Sequence, residues 1–504
     1  MCDNETNRVT RTEKVFLFLL ISGLFCYTLY FLLYRFGTSL SDQFGFRQTQ
    51  TAISSFWMAK EWSFFSYQTP VLGYPWSIPF EFPLYQAIVA IGHKTFHLID
   101  ISFMCRIVSY AFYLGVLFPC SKILQILFSD KKIIPIFTIC YLASPFYLFW
   151  GTTAMIESTA LFFSVLGLWR IICFSDNSTW KNAFFVICSC TIASLVKVTT
   201  LPSFLLFGCI YAIYNRKLSI FKKDFFIKTL IIIVMFFIIT YAWTTWADYL
   251  KAQNIYGQKL ISTNLTEWNF GSLHQKFSFN TWKTILDRNL IETFGYSLYI
   301  IPFLMLICIF NKKYILYFLF LLFLYIFQII IFTNLHFVHN YYQYANAIFL
   351  ICIPSACLYL LRNHKTLFTI SIVTLSLSSV YYTHIIYEQI ATNSVNNVRY
   401  IIGNKLKQIS KKNTAIVVLG TDWSSEVLYY AERKGIAVPD FIYNPEEIKN
   451  LNLLNRMDIS IVADMKYGAS EQDKAKRDIL TQGMKSFVLE GYTIYYAPEH
   501  CLIN

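Results

Sequence analysis

The stretch SDQFGFRQTQTA, residues 41–52, comes directly after the first long apolar run of the chain, and this position points to the class of fold. It places a carboxylate, Asp42, close to a guanidinium, Arg47, and to the amide of Gln48. A carboxylate can accept a proton from a hydroxyl group, and a guanidinium pairs with a phosphate through a planar fork of donors. The stretch therefore predicts chemistry on a lipid-linked substrate at a membrane face.

The composition is that of a membrane protein. Of 504 residues, 56% are hydrophobic and 19% are aromatic, while only 14% are charged. Many apolar runs have the roughly 20 residues that an α-helix needs to cross a hydrocarbon core. A soluble protein of this length would not carry so many, so the chain is predicted to cross the bilayer several times.

The net charge of +13 is a topology signal rather than a sign of nucleic-acid binding. Lysine and arginine lie in short loops between apolar runs, and such loops stay on the cytoplasmic side of a membrane. This pattern offers no soluble basic face that would follow a nucleic-acid backbone. The basic clusters are Arg8–Lys14, Lys131–Lys132, Arg216–Lys223, Lys312–Lys313 and Arg362–Lys365.

The thirteen cysteines lie mostly inside apolar runs, where such residues usually pack as small apolar side chains. Cys188 and Cys190 have no matching Cys or His pair elsewhere in the sequence. Their spacing therefore predicts neither a structural zinc site nor a disulfide framework.

Placing each basic cluster on the cytoplasmic side, with the N-terminus inside, predicts about eleven membrane spans. Residues 1–388 then form a membrane domain with two long outer loops, 35–101 and 247–295. Within the first loop, residues 82–97 are too short to span comfortably, which favours an amphipathic helix lying along the membrane surface. The predicted spans are 15–34, 102–127, 133–150, 155–173, 183–197, 200–215, 226–246, 296–311, 314–333, 343–361 and 367–387.

The C-terminal region, residues 389–504, has a different composition with nearly balanced charges. Residues 414–420 and 459–464 are typical of buried strands, and a final strand is predicted in GYTIYYAP. Helical segments are predicted near 424–434, 445–454 and 471–484, and this alternation indicates a small soluble α/β domain. Because the region lacks a Gly-rich phosphate loop, it is predicted to be a supporting or acceptor-gripping lid rather than a separate enzyme.

Three carboxylates at the predicted outer face are candidate catalytic groups. Asp42 follows the first span, Glu81 lies in the first outer loop, and Glu157 begins the fourth span. Each also has a simpler interpretation as a solvated loop or boundary residue. Acidic side chains in spans are costly, but the cost falls near the interface, so position alone leaves both interpretations open.

Candidate binding residues are predicted at the same face. Arg47, Lys197 and His339 are candidates for a donor phosphate, although an outer lysine can also extend to lipid headgroups. Tyrosines at this depth are common in aromatic belts, and two histidines alone do not make a metal site. Because these residues come from separate segments yet converge on one face, a shared cavity is predicted. The candidates for sugar or acceptor binding are Gln48, Tyr341, Tyr342 and Gln343.

At these residues the chain resembles the GT-C superfamily of membrane glycosyltransferases. The likeness is strongest to the branch that contains protein O-mannosyltransferases and aminoarabinose transferases. The matching segments are Asp42 in SDQFGFRQTQTA, Phe82–Tyr85, Ala154–Glu157, Lys197–Pro202, His339–Tyr342 and DWSSEVLYYAERKG at 422–435.

The resemblance implies an all-α membrane domain and direct displacement of a sugar from a polyprenyl-phosphate donor, with inversion. Asp42 would be the general base on the acceptor hydroxyl, with Glu81 as the rival, and no nucleotide would be required. The mannosyltransferases usually have an Asp-Glu pair where this chain has Asp42–Gln43. That departure leaves open the sugar and the use of a divalent metal.

The abundance of Phe, Ile, Asn, Lys and Tyr is typical of AT-rich bacterial genes for surface polysaccharides and serotype conversion. We therefore expect a hexose, such as glucose, to be transferred to lipopolysaccharide O-antigen or another surface glycan. The active site and C-terminal domain are expected on the periplasmic side of the bacterial inner membrane. The alternatives are a flippase or carrier for lipid-linked sugars and an O-antigen polymerase or ligase.

Overall fold

The computed structural model describes residues 11–128, 130–216, 222–309, 312–439, 444–449, 452–466 and 471–502. Helices dominate the part of the chain before residue 410, and strands lie only after it among these residues. The helices of the first half are α1 (Arg11–Tyr34), α2 (Gly45–Lys60), α3 (Leu84–Thr95), α4 (Ile101–Gly115), α5 (Leu117–Phe128), α6 (Ile133–Ala143), α7 (Pro145–Trp150), α8 (Glu157–Asp176), α9 (Trp180–Lys197), α10 (Pro202–Arg216) and α11 (Lys223–Ala252).

The remaining helices include several short ones in the second predicted outer loop. The helices of the second half are α12 (Thr266–Phe270), α13 (Leu273–Phe277), α14 (Phe279–Phe294), α15 (Ile301–Ile309), α16 (Lys312–Ile331), α17 (Thr333–Val338), α18 (Ala347–Leu361), α19 (Lys365–Tyr382), α20 (Gln389–Asn393), α21 (Val398–Ile409), α22 (Glu426–Ala431), α23 (Pro445–Lys449) and α24 (Glu471–Thr481).

Within the part of the chain that the structure describes, six helical segments are long and apolar enough to cross a membrane, which confirms a polytopic arrangement of spans. Three shorter apolar helices lie in other predicted spans, namely Ile133–Ala143, Ile315–Ile331 and Ala347–Leu361. The count of eleven spans stays a prediction. The six segments are Arg11–Tyr34, Ile101–Phe128, Glu157–Asp176, Trp180–Thr200, Lys223–Ala252 and Lys365–Ile409.

The predicted span 133–150 is divided into two helices at Ser144. Pro145 has no backbone N–H to continue α6, and it occupies the first position of α7, where that group is not needed. The Ser144 hydroxyl donates a hydrogen bond to the carbonyl of Thr293 at 2.7 Å, so the break is anchored to α14. The turn after α7 leads directly to Glu157 at the start of α8.

The helix predicted at 82–97 is present as α3, which packs against α2, and its position along the membrane surface stays a prediction. Its buried face includes Tyr85, whose hydroxyl donates to the carbonyl of Cys105 in α4 at 2.6 Å. Asp100 begins α4 by accepting a hydrogen bond from the backbone N–H of Phe103 at 2.9 Å, as an N-cap residue does. The first predicted outer loop is thus folded onto the span that follows it.

The C-terminal sheet has five strands in the order β2-β1-β3-β5-β4. Strands β2, β1 and β3 run parallel, whereas β5 pairs antiparallel with both β3 and β4. The three predicted strands are confirmed as β1, β3 and β5, and the sequence patterns missed β2 and β4. The strands are β1 (Ala415–Leu419), β2 (Gly435–Ala437), β3 (Ile459–Asp464), β4 (Lys485–Leu489) and β5 (Tyr492–Tyr496).

The sheet is joined to the first outer segment rather than separate from it. The backbone N–H of Gly435 donates to the carbonyl of Pro70 at 3.3 Å, and Ala437 donates to Val71 at 2.8 Å. Helix α22 also packs against α2. Helical structure continues from residue 365 to residue 396, through the predicted domain boundary at residue 388. Placement of the sheet in a soluble compartment stays a prediction.

We predict that Gly435→Ala destabilises the protein, because a Cβ atom at this position would lie 1.9 Å from the backbone carbonyl oxygen of Ile416. Backbone must then shift, and overpacking of this kind costs about 1–3 kcal/mol or more. Thermal unfolding followed by tryptophan fluorescence in detergent measures the effect. Gly23→Ala is the control, since its Cβ would meet no atom within 4 Å, and equal melting temperatures for the two variants would contradict the prediction.

Candidate functional site

The segment between α1 and α2 turns sharply at Phe44, which has a left-handed backbone with φ 49°. Such a conformation is unfavourable for a residue with a side chain, and surrounding contacts must hold it. The Phe44 ring packs against Trp150 and, edge-on, against His339 and Tyr341. The turn separates Asp42 from Arg47, and the two side chains enter different sets of contacts.

Asp42 lies in a buried network that we call the Asp42 network, formed by Arg35, Asp42, Gln48 and Arg106. Its side chain is fully buried and forms an ion pair with Arg35, while Arg106 lies 3.7 Å away. The Gln48 amide donates to the second carboxylate oxygen. No oxygen of Asp42 is therefore free in this arrangement.

The two arginines of this network also satisfy backbone groups. Arg35 donates to the carbonyl of Phe149 at 3.0 Å and to the Thr152 hydroxyl at 2.8 Å. Arg106 donates to the carbonyl of Ser39 at 2.8 Å. Buried charges are tolerated when they are paired and hydrogen-bonded, and here only the Nε atoms of Arg35 and Arg106 lack a partner among the donors of the two guanidinium groups.

The turn before α8 belongs to the same arrangement. The backbone N–H of Ala154 donates to the side-chain oxygen of Gln48 at 3.1 Å. Gln48 thus links the carboxylate of Asp42 to the segment 154–157, which is one of the segments that carry the resemblance. Sequence reasoning assigned Gln48 to sugar or acceptor binding, and the structure places it against Asp42.

A second group of contacts, the Lys197 cluster, contains Arg47, Glu81, Glu157, Lys197, His339, Tyr341 and Tyr342. Arg47 pairs with Glu81 and also bonds the amide oxygen of Gln50. The side chains of Arg47 and Glu81 keep 17% and 24% of their surface exposed, which makes this pair the accessible part of the cluster. Burial lowers the pKa of Arg47. The negative charge of Glu81, with smaller contributions from Tyr341, Glu157 and Tyr342, outweighs burial and raises the pKa overall.

Glu157 and Lys197 form a buried ion pair at the deeper part of this cluster, with 3% and 7% of their side-chain surfaces exposed. The Lys197 ammonium lies 3.9 Å from the ring centroid of Tyr342 and 5.0 Å from that of Tyr341. One oxygen of Glu157 has no hydrogen-bond partner within the protein. Lys197 is thus held by a carboxylate and two aromatic faces.

His339 stacks on Tyr341, with ring centroids 5.1 Å apart, and Tyr341 stacks on Tyr342 at 4.9 Å. Trp268, from the second predicted outer loop, lies 6.0 Å from the His339 ring. Burial, followed by the positive charges of Lys197 and Arg47, lowers the pKa of His339 to about 4. The imidazole is therefore neutral at physiological pH, and its buried Nδ1 atom has no hydrogen-bond partner within the protein.

The structure brings most of the predicted site residues together. Arg47 lies close enough to Glu81, Glu157, Tyr341 and Tyr342 for their charges to affect its pKa. It therefore connects the exposed Arg47–Glu81 pair with the buried Glu157–Lys197 pair. Asp42 and Gln48 lie in the adjoining Asp42 network. Gln343 is fully buried, and neither polar atom of its side chain has a partner within the protein.

Sequence reasoning missed Arg35, Arg106 and Trp268. Arg106 carried a visible signal, because an arginine inside a predicted apolar span is costly and is usually paired. Arg35 stood at the end of the first span, where a charge is unremarkable. Nothing in the spacing of Trp268 indicated its place beside His339.

The donor set does not fit a divalent metal. Among the residues that the structure describes, no three His, Cys, Asp or Glu side chains lie together. The carboxylates of Asp42, Glu81 and Glu157 instead face arginine or lysine, whose positive charge opposes a cation. Sequence reasoning assigned no metal ligands and left a metal open as a cofactor.

We predict that Lys197→Met destabilises the protein by about 3–5 kcal/mol, because it leaves the buried carboxylate of Glu157 without its partner. Adding Glu157→Gln is expected to restore part of the loss. Thermal and denaturant unfolding in detergent would measure both. Lys407→Met, which removes a half-exposed pair with Glu432, is the control and should cost no more than about 1 kcal/mol; equal losses at both sites would contradict the prediction.

We also predict acid sensitivity from His339, whose pKa falls from 6.5 to about 4 on folding. Between these values the unfolded chain binds more protons than the folded one, so stability declines as the pH falls through this window and is unaffected above it. His339→Gln should reduce the difference in melting temperature between pH 7 and pH 5. His274→Gln, at an exposed position, is the matched control, and an unchanged difference in His339→Gln would exclude this source.

No family model and no curated protein matches the chain. Solved structures do match. ArnT from Cupriavidus metallidurans bound to undecaprenyl phosphate gives a TM-score of 0.63 at 10% identity, over 97% of this chain and 98% of ArnT. The apo form of the same protein gives 0.60 at 10% identity, over 91% and 94%.

A more distant match is the archaeal oligosaccharyltransferase AglB from Archaeoglobus fulgidus, in complex with an inhibitory peptide and a dolichol-phosphate. Its TM-score is 0.51 at 10% identity, over 97% of this chain and 75% of AglB. At such identities the likeness concerns the fold. The chain therefore has the fold of ArnT, and the GT-C resemblance predicted from the sequence is confirmed at the level of the fold.

Proposed function

We propose that the chain is a membrane glycosyltransferase that transfers one sugar from a polyprenyl-phosphate donor to a glycan acceptor. The observation that carries this proposal is the convergence of two cations, Arg47 and Lys197, beside the stacked rings of Tyr341 and Tyr342. The fold supports it, because ArnT was solved with undecaprenyl phosphate and AglB with a dolichol-phosphate.

The donor phosphate would take the place of a carboxylate in the Lys197 cluster. Arg47 is paired with Glu81 at the accessible edge, and a phosphate offers its guanidinium the same planar, bidentate recognition. Lys197 would supply a second charge at greater depth, with neutral His339 as a hydrogen-bonding group. The faces of Tyr341 and Tyr342, together with Gln343, would contact the sugar.

The reaction is a direct displacement at the anomeric carbon. The acceptor oxygen forms a bond to this carbon from the side opposite the phosphate, and the carbon–oxygen bond to the phosphate breaks. The electron pair leaves with the phosphate, where Arg47 and Lys197 would stabilise the charge, and the acceptor proton passes to a carboxylate. The products are the inverted glycoside and the free lipid phosphate.

Asp42 is our proposed base, and Glu81 is its rival. Asp42 is next to the Lys197 cluster through Gln48, and its carboxylate faces the guanidinium groups of Arg35 and Arg106. For Asp42 to meet an acceptor hydroxyl, the Gln48 amide must move away. Glu81 is already accessible, but its ion pair with Arg47 must break before it can act as a base, and a donor phosphate would also bind Arg47.

The sugar is proposed to be a hexose such as glucose, and the acceptor a lipopolysaccharide O-antigen or another surface glycan. The site would face the periplasm from the bacterial inner membrane. Apolar helices next to the Lys197 cluster would leave the isoprenoid tail in the bilayer while its phosphate is held at the interface. Transport without transfer, or polymerisation of whole oligosaccharide units, are the competing functions.

We predict a hexose-sized mass gain on surface polysaccharide in cells that carry the wild-type chain, relative to cells that lack it. Asp42→Asn should reduce the gain by about 100-fold or more, because the amide accepts no proton. Glu81→Gln should reduce it less. Mass spectrometry of the polysaccharide provides the measurement, with melting temperature and membrane content of each variant as controls for folding.

Three results would redirect this proposal. If folded Asp42→Asn keeps the gain and Glu81→Gln loses it, transfer stands and Glu81 is the base. If the wild type changes chain length instead of unit mass, the chain is a polymerase or ligase. If no polysaccharide mass changes while lipid-linked sugar moves between leaflets, the chain is a carrier.

A further inference from the structure

A second polar site lies where the membrane domain meets the C-terminal region. A cavity of about 300 Å³ is lined by Thr38, Ser39, Ser102, Arg106, Asn404 and Tyr429, among others, and we call it the junction cavity. Its walls are the turn after α1, the start of α4, and helices α21 and α22. No member of the Lys197 cluster lines it, so it is a separate site.

The lining of the junction cavity is rich in hydroxyl groups and aromatic rings. Tyr400, Tyr429 and Tyr430 contribute rings, and the hydroxyls of Ser102 and Tyr429 are hydrogen-bonded to each other at 2.7 Å. Polar groups placed among aromatic surfaces are typical of small-molecule sites, whose volumes begin at roughly 300 Å³. This mixture suits a ligand with both hydroxyl groups and apolar ring faces.

The charged residues of the lining are largely neutralised within the protein. Lys407 pairs with Glu432 at 2.5 Å, and Asp100 caps α4. By contrast, the Nε atom of Arg106 is buried and has no hydrogen-bond partner, although the residue lines the cavity. An acceptor oxygen that reached this nitrogen would supply the missing partner. The site therefore favours an uncharged, oxygen-rich molecule.

Arg106 joins this cavity to the proposed base. The same guanidinium that lines the junction cavity has Nη2 3.7 Å from the carboxylate of Asp42 and donates to the carbonyl of Ser39 at 2.8 Å. A ligand in the cavity would therefore contact a group that holds Asp42 in place.

We infer that the junction cavity binds a neutral oligosaccharide segment of the glycan acceptor, one or two sugar units removed from the reacting hydroxyl. This inference rests on the proposed function for the role of the glycan as acceptor, whereas the binding itself does not require transfer. Helices α21 and α22 then contribute to acceptor recognition, and Asn404 of α21 and Ser102 of α4 both line the glycan site.

Binding is tested with purified full-length protein in detergent. The probe is the mixture of neutral oligosaccharides released by mild acid from the surface polysaccharide of the source cells, and saturation-transfer NMR and calorimetry detect it. Asn404→Trp places an indole in the cavity and loses only a hydrogen bond within its own helix, to the carbonyl of Tyr400. We expect it to weaken binding by about tenfold or more.

Lys405→Trp, exposed on the same helix, is the matched control and should bind as the wild type does. Ser102→Val narrows the cavity from the other wall and should also weaken binding, which keeps the test valid if Asn404→Trp does not fold. Binding of undecaprenyl phosphate should be unchanged in all three variants.

Two results would overturn the inference: no oligosaccharide binding by the wild type, or undiminished binding in both folded cavity variants. Failure of the proposed function has a different outcome. In that case the wild type binds oligosaccharide and the cavity variants do not, yet polysaccharide mass is unchanged in cells.

Discussion

The burial of one carboxylate beside two guanidinium groups is the constraint on which the rest of this structure depends. Asp42 pairs with Arg35 at the end of α1, Arg106 approaches it from α4, and Gln48 reaches it from α2. Removing such charges from water costs several kcal/mol per ion, and pairing and hydrogen bonding offset this cost. Two membrane helices and the first outer segment are therefore fixed relative to one another, and this fixes where Arg47 lies.

Charge balance in the Lys197 cluster shapes how a donor would bind. Arg47 and Lys197 are matched by Glu81 and Glu157, so the cluster is neutral when it is empty of substrate. A phosphate that enters adds negative charge and competes with a carboxylate for its cation. Glu81 is the more exposed of the two carboxylates, and its release into water costs less than releasing buried Glu157. Exchange at the Arg47–Glu81 pair is thus the favourable route, and Glu157 remains to hold Lys197.

The sequence predicted the parts of the fold and site that depend on local pattern. Apolar runs indicated most of the helices, and the continuous apolar segments at Ala415–Leu419 and Ile459–Asp464 indicated buried strands. Strand β2 could not be predicted, because three residues are too few to show a periodic pattern. Its position is determined by pairing with β1 and by hydrogen bonds to residues 70 and 71. Asp42 and Lys197 stood out as charges beside apolar runs. Their partners could not be predicted, because Arg35, Arg106 and Glu157 meet them only through tertiary packing.

Asp42 lies between two sites that would be filled by different substrates. Through Gln48 it is joined to the segment that carries Arg47 and to the turn before Glu157, and through Arg106 it is joined to the junction cavity. Because the side chain of Asp42 is fully buried, an exchange of partners must precede proton transfer from an acceptor. If donor binding displaces Gln48 and a bound acceptor moves Arg106 away from Asp42, the carboxylate of Asp42 can accept a proton only when both substrates are present. Such an arrangement would suppress hydrolysis of the donor by water, because the carboxylate of Asp42 stays inaccessible until an acceptor is bound.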